Sequence, residues 1–262
     1  MRIALAQIVS TPEPEDNLGQ IAEQVTAAAA DGARIVVFPE ATQRCFGVPL
    51  GSIAEPLDGP WAGRVREIAG QAGVTVVAGM FTPAGDGRVH NTLLATGGGV
   101  ETSYDKIHLY DAFGFAESDT VAPGSEPVTI DVDGLTVGLA TCYDLRFAGL
   151  FQVLGDRGAQ VVVVPASWGA GPGKIEQWDL LVRARALDTT GFVAACDQAD
   201  PETVGRESRG APTGVGHSML AGPLGARVAG LEAQPGRLVV DVDPQEVEAA
   251  RRAVPVLANR KY

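Results

Sequence analysis

The period of the apolar residues changes again and again along this chain, and that switching limits its possible folds more than any other feature. Residues 3–9 read as a strand. Over 17–30, Leu18, Ile21, Ala22, Val25 and Ala28/Ala29 form a helical stripe, with Asp16 placed to cap it. Residues 34–38 are continuously apolar after Arg34, as a strand covered on both faces requires. A helix carrying Trp61, Val65, Ile68 and Ala69 follows, then strands over 74–80, 91–96 and 100–104. In the second half, strands over 128–132 and 135–141 turn at Asp133-Gly134. Phe147, Leu150, Phe151 and Leu154 mark a helix, 161–164 a buried strand and 177–190 another helix. Strands over 192–196, 215–221, 226–229 and 238–242 close the pattern. Strands alternating with helices make this an α/β chain.

One internal echo suggests how the layers are arranged. Asp31-Gly-Ala-Arg-Ile-Val-Val-Phe-Pro-Glu-Ala41 resembles Arg157-Gly-Ala-Gln-Val-Val-Val-Val-Pro-Ala-Ser167, and each follows a strand–helix unit. Two such copies would set two sheets face to face with helices outside. No low-complexity linker divides the chain, so residues 1–262 read as a single domain.

Composition excludes several classes of function. With 45% apolar and 20% charged residues, the chain is globular rather than disordered. A net charge of −12 repels phosphate backbones and anionic lipids, which argues against nucleic-acid and membrane-surface partners. No apolar run nears the roughly 18–20 residues of a bilayer span, and residues 1–10 are too short for a secretory leader. Cys45, Cys142 and Cys196 are widely spaced, with no CxxC or His/Cys pairing. The expectation is a soluble, reduced, cytoplasmic protein without metal or disulfide framework.

Four residues could carry chemistry. Cys142 lies between an apolar strand and an amphipathic helix, where unpaired N–H groups favour a thiolate and a sharp turn exposes the side chain. Position alone also permits a small buried hydrophobe. Glu40 ends a buried strand, as a solvated terminus or as a desolvated base. Lys106 is one of three lysines against seventeen arginines. It is either an ordinary surface charge or a cation for a developing oxyanion. Glu117 sits on the loop beyond it. Rival motifs are poorer. His90, His108 and His217 occupy no recognisable Cys–His context. The run 168–175 lacks the first glycine of a phosphate loop and has Ile175 where Ser or Thr must bind magnesium. Gly97-Gly98-Gly99 is a turn between strands.

Taken in order, Val37-Phe-Pro-Glu40, Tyr104-Asp-Lys-Ile-His-Leu109 and Thr141-Cys-Tyr-Asp-Leu-Arg-Phe147 resemble the nitrilase superfamily of carbon–nitrogen hydrolases. Leu181-Val-Arg-Ala-Arg-Ala186 and Gly216-His-Ser-Met219 extend the likeness, which runs from residue 3 to about 242. Ala148-Gly149 and Ala221-Gly222-Pro223 depart from the usual pattern. The resemblance implies a four-layer α-β-β-α sandwich with two mostly parallel or mixed sheets. It also implies a homodimer or higher oligomer, formed through the helix after the cysteine and the C-terminal segment, and no cofactor. It gives Glu40 as general base, Cys142 as nucleophile, Lys106 as electrostatic stabiliser and Glu117 as the acid that orients substrate or lysine.

The segment around Lys106 looks like the branch of deaminated glutathione amidase and omega-amidase. The implied reaction is hydrolysis of a small linear amide through a cysteine thioester, with the Tyr143 N–H helping to hold the oxyanion. An arginine is expected to bind a substrate carboxylate, with Arg146, Arg183 and Arg185 as candidates. Hydrolysis of a carbamoyl group or nitrile, acyl transfer, and a non-catalytic metabolite-binding scaffold are the alternatives.

Overall fold

The computed structural model describes residues 1–208 and 210–261. Side chains alternate across each central strand, and this alternation assigns the layers. In Arg2–Gln7, Ile3 and Leu5 join a core shared by two sheets, whereas Ala4 and Ala6 face helices. Val161 and Val163 point into the same shared core, and Val162 and Val164 point to helices on the far side. Two sheets back to back, each roofed by helices, follow from this pattern.

The first sheet runs in the order Gly236–Asp241, Arg2–Gln7, Ile35–Val37, Thr75–Pro83, Val89–Gly97, Val100–Asp105, with Val121–Ala122 alongside Val89–Gly97. The second runs Arg227–Gly230, Met219–Ala221, Phe192–Asp197, Val161–Ala166, Leu135–Leu139, Val128–Val132. Three central strands are parallel in each sheet, and their outer neighbours are antiparallel. Helices Pro14–Ala30 and Pro60–Ala72 cover the first sheet, and Ala148–Asp156 and Lys174–Thr189 the second. The molecule is an α-β-β-α sandwich of mixed sheets.

The echoed segments hold matching places. Ile35–Val37 and Val161–Ala166 each lie between two parallel neighbours. Each is entered through a left-handed glycine, Gly32 at φ 82° and Gly158 at φ 89°. Asp133 and Gly134 both have positive φ, as a two-residue hairpin of this twist demands.

Several local readings are corrected. The first helix begins at Pro14 with Glu13 as N-cap, so Asp16 sits in the first turn instead of capping it. Phe147 precedes helix Ala148–Asp156 as its N-cap and stacks on His108 with centroids 3.7 Å apart. The strand expected over 215–221 shortens to Met219–Ala221. The helix expected from 177 begins at Lys174. The sequence reading missed the small hairpin Asp111–Ala112/Phe115–Ala116 and the helices Pro244–Ala253 and Val256–Asn259.

Candidate active site

Both sheets deliver side chains to one end of the seam between them. Glu40 follows Pro39 at the carboxyl end of strand Ile35–Val37 and is 1% exposed. Strand Thr75–Pro83 passes directly behind it: a Cβ on Gly79 would lie 2.6 Å from the Ala41 amide nitrogen. Lys106, the first residue after Val100–Asp105, is 2% exposed and donates its backbone N–H to Asn91 O at 2.9 Å. Glu117 opens the short turn Glu117–Asp119. From the second sheet, Cys142 begins the turn Cys142–Arg146 with φ at 46°, a left-handed conformation costly for a residue with a Cβ. Helix Ala148–Asp156 starts only after this turn, so the cysteine occupies a tight 3₁₀ turn rather than the first turn of an α-helix.

Bonds between these groups are short and buried. Lys106 Nζ donates to Glu40 Oε1 at 2.9 Å and to Glu117 Oε2 at 2.8 Å. Asn91 Nδ2 donates to Glu40 Oε1 at 2.7 Å and to Glu117 Oε1 at 3.1 Å. Glu40 Oε2 accepts the Ser167 N–H at 2.9 Å, and Glu117 Oε2 the Tyr110 N–H at 2.6 Å. Burial pushes the Cys142 thiol well above its usual range; the Glu40 carboxylate adds to this and Lys106 opposes it. Burial alone would discharge Lys106, but the carboxylates of Glu117 and Glu40 outweigh it and hold the ammonium well above its ordinary value. The thiol is therefore neutral at rest, beside a fixed ammonium and in contact with the Glu40 carboxyl group.

These groups floor a cavity whose walls include Phe46, Tyr110, Tyr143 and Trp168. Two further cations face it. Arg146 stacks near Trp168 and Tyr143 and donates through Nη2 to the neutral Gln177 at 2.8 Å, and its buried Nε has no partner among the described residues. Lys174 Nζ lies 3.7 Å from the Phe113 ring centroid, and burial with the nearby Arg146 charge depresses its pKa.

A nucleophile, an acid–base carboxylate and a lysine in this arrangement suit acyl transfer. The model of the carbon–nitrogen hydrolase family matches residues 2–252. The chain belongs to this family, within the nitrilase superfamily, and is a hydrolase of carbon–nitrogen bonds. A Mycobacterium tuberculosis protein named only as a hydrolase is 57% identical over 99% of this chain and 95% of its own. The deaminated glutathione amidase of Escherichia coli O157:H7 is 33% identical over 100% of this chain and 98% of its own. An omega-amidase of Xenopus tropicalis is 29% identical over 100% and 95%. Among solved structures, an amidase from Nesterenkonia sp. AN1 superposes with a TM-score of 0.83 at 28% identity, covering 100% of this chain and 96% of that one. A variant of that amidase carries the acetamide moiety of fluoroacetamide on its active-site cysteine, and matches with a TM-score of 0.80 at 29% identity over 97% and 94%.

Within this carbon–nitrogen hydrolase, Glu40, Lys106, Glu117 and Cys142 converge, and Tyr143 and Arg146 line the same cavity. Lys106 is a buried charge, not the solvated one that most lysines are. Arg183 and Arg185 are engaged elsewhere, with Asp179 and Asp188, and neither lines the cavity. His90 bonds Ala122 O and His108 bonds Asp144, so neither is placed as base for the sulfur. Phe46 borders the cavity, while Cys45 lines the neighbouring cleft. Among the described residues no group of three or more His, Cys, Asp or Glu is placed to hold a metal ion, and no helix is long and apolar enough to cross a membrane.

Sequence reasoning missed three contributors. Asn91 lay unremarked inside an expected strand, Lys174 inside a rejected phosphate-loop pattern. Asp144 is fully buried and accepts bonds from Tyr104 OH, the Thr141 N–H and the His108 N–H, tying the cysteine turn to the opposite sheet. A carboxylate two residues after the cysteine was the available signal.

Proposed function

We propose that the chain is an amidase that cleaves small linear amides through a thioester on Cys142, releasing ammonia and a carboxylic acid. The observation that carries this reading is a thiol at the closed end of a cavity, flanked by a buried carboxylate and a buried ammonium that already contact each other. The Nesterenkonia adduct on an active-site cysteine supports it by likeness. Glu40 accepts the thiol proton as sulfur bonds to the amide carbon, and the electron pair moves to oxygen. Lys106 and the Tyr143 N–H hold that oxyanion; loss of one such donor typically costs about 100- to 1000-fold in rate. Collapse breaks the C–N bond while Glu40 returns the proton to nitrogen. Water then adds to the thioester, losing its proton to Glu40, and the thiol is restored as the C–S bond breaks. Glu117 orients Lys106 throughout.

The acyl half is proposed to carry a carboxylate. Arg146 and Lys174 line the cavity, and no acidic partner pairs with either among the described residues. Burial of two cations without a counter-ion is unfavourable, and an anionic substrate group relieves it. Ammonia release from alpha-keto omega-amides, deaminated glutathione and uncharged simple amides tests the whole reading. Cys142→Ala should abolish turnover without loss of fold, and a slow Glu117→Ala variant should show an acyl adduct by intact mass. Lys174→Ala should raise KM about tenfold for anionic amides only. A chain that leaves every amide intact and never acquires Cys142 adducts would overturn the proposal.

A further inference from the structure

Hydrogen-bond donors around the two glutamates can be counted, and each accepts three, two on one oxygen and one on the other. Glu117 accepts three: Asn91 Nδ2 on Oε1, and Lys106 Nζ and the Tyr110 N–H on Oε2. Glu40 Oε1 accepts two, from Lys106 and Asn91. Glu40 Oε2 accepts the Ser167 N–H, and that same amide acts on the Cys142 sulfur, which is itself hydrogen-bonded to the Glu40 carboxyl group. Glu40 Oε2 is therefore the carboxylate oxygen that shares a donor with the nucleophile.

Asn91 links the two carboxylates. It is 1% exposed, and its side-chain N–H groups each go to a different glutamate. Its Oδ1 is buried without a partner. Reversing the amide would point that oxygen at two carboxylate oxygens with no proton between them, so the orientation is fixed by chemistry. A buried unpartnered carbonyl oxygen is unfavourable, and the site keeps it in exchange for two bonds to carboxylates. Two carboxylates and one ammonium leave an excess negative charge in a desolvated place.

We propose that Asn91 is a positioning residue that clamps Oε1 of both glutamates, so that Glu40 exchanges its proton only through Oε2, beside Cys142. This rests on the amidase reading for the base role of Glu40. The groups facing Glu40 are Lys106 beyond Val100–Asp105, Cys142 in its turn, Ser167 beyond Val161–Ala166, and Asp197 at the end of Phe192–Asp197, with Glu117 reached through Lys106 and Asn91. Of these, Asn91 alone has a neutral side chain that touches both carboxylates.

The test is the pH profile of kcat and kcat/KM for Asn91→Ser and Asn91→Asp on the best amide of the panel, beside the iodoacetamide alkylation rate of Cys142 against pH. The acidic limb should move to higher pH by about one unit in Asn91→Ser, which removes a donor shared by the carboxylates, and further in Asn91→Asp, which adds a third carboxylate. At neutral pH kcat should fall 10- to 100-fold with KM within about twofold. The alkylation profile of Cys142 should also move, because the Glu40 charge acts on the thiol, and it needs no turnover; thermal melting identifies any variant that does not fold. Folded variants whose limbs stay in place, whatever their kcat, would overturn the proposal and leave Asn91 a packing residue. Failure of the wild type on every amide would instead remove the catalytic reading, while an unmoved alkylation profile would still count against the clamp.

Discussion

At the scale of single residues, the sulfur is governed by its neighbours' charges. Burial raises the Cys142 pKa most, the Glu40 carboxylate raises it further and Lys106 lowers it. The signs give opposite expectations for two variants. Glu40→Gln removes a repelling negative charge, so the thiolate forms at lower pH than in the wild type. Lys106→Met removes the stabilising cation, so it forms at higher pH. Thiolate absorbance near 240 nm during a pH titration, with Cys142→Ala as blank, reads both. Shifts of the same sign would mean that packing, not charge, sets the thiol. In both variants turnover should be lost, because a thiolate that forms more readily does not replace the base needed to return a proton to nitrogen. Glu40 and Cys142 were legible because each ends an apolar run, where a charge or thiol stands out; Lys106 stood out as one of three lysines, and Glu117 only through the family resemblance. Asn91 was not: in sequence it is one polar residue on a strand, and only the fold turns its amide toward two acids.

At the scale of elements, chain passages close to the site matter as much as side chains. Thr75–Pro83 runs so near Pro39–Ala41 that a Cβ at Gly79 meets Ala41 N at 2.6 Å and Pro39 O at 2.9 Å. Gly79 N–H also donates to Pro39 O at 3.3 Å, and Gly79 O accepts the Gln43 N–H at 2.9 Å. Gly79→Ala must push the Glu40 segment away from Lys106. Overpacking of this kind costs about 1–3 kcal/mol, or a few degrees in Tm for a domain of this size. Its kcat should fall more than tenfold; a variant with lowered Tm and wild-type kcat would show that the strand yields instead of Glu40. This proximity could not be read from the sequence, where Gly79 looks like one more small residue in an apolar run. Element types were far more legible than their ends. Period two and period 3.6 separated strands from helices, but Gly171-Pro172-Gly173 run directly into Lys174–Thr189 and hide where it starts.

At the scale of the whole molecule, the site exists only because two sheets face each other in register. Glu40, Asn91 and Lys106 come from the first sheet, Cys142 and Ser167 from the second, and bonds cross the seam between them. Ser167 N–H reaches Glu40 Oε2, Gln198 Nε2 donates to Glu40 O at 3.0 Å, Tyr104 OH to Asp144 Oδ2 at 2.6 Å, and Cys196 Sγ to Val37 O at 3.2 Å. The echoed segments foretold this pairing in the sequence, since copies with alternate apolar faces must bury one face on each other and one on helices. Neighbours on a single strand separate the two faces. Val76 and Val77 are both fully buried, yet Val76 packs under helices and Val77 in the shared core. Truncating either to Ala removes the same two methyl groups and costs roughly 2 kcal/mol. Loss at Val77 loosens the contact between sheets, so its kcat should fall several-fold further than that of Val76→Ala at a similar drop in Tm. Both variants lie the same few residues from Gly79, so distance along the chain does not separate them. Equal kcat values at equal Tm would show that the seam bonds alone hold the two halves of the site in register, and that the apolar core between the sheets contributes only stability.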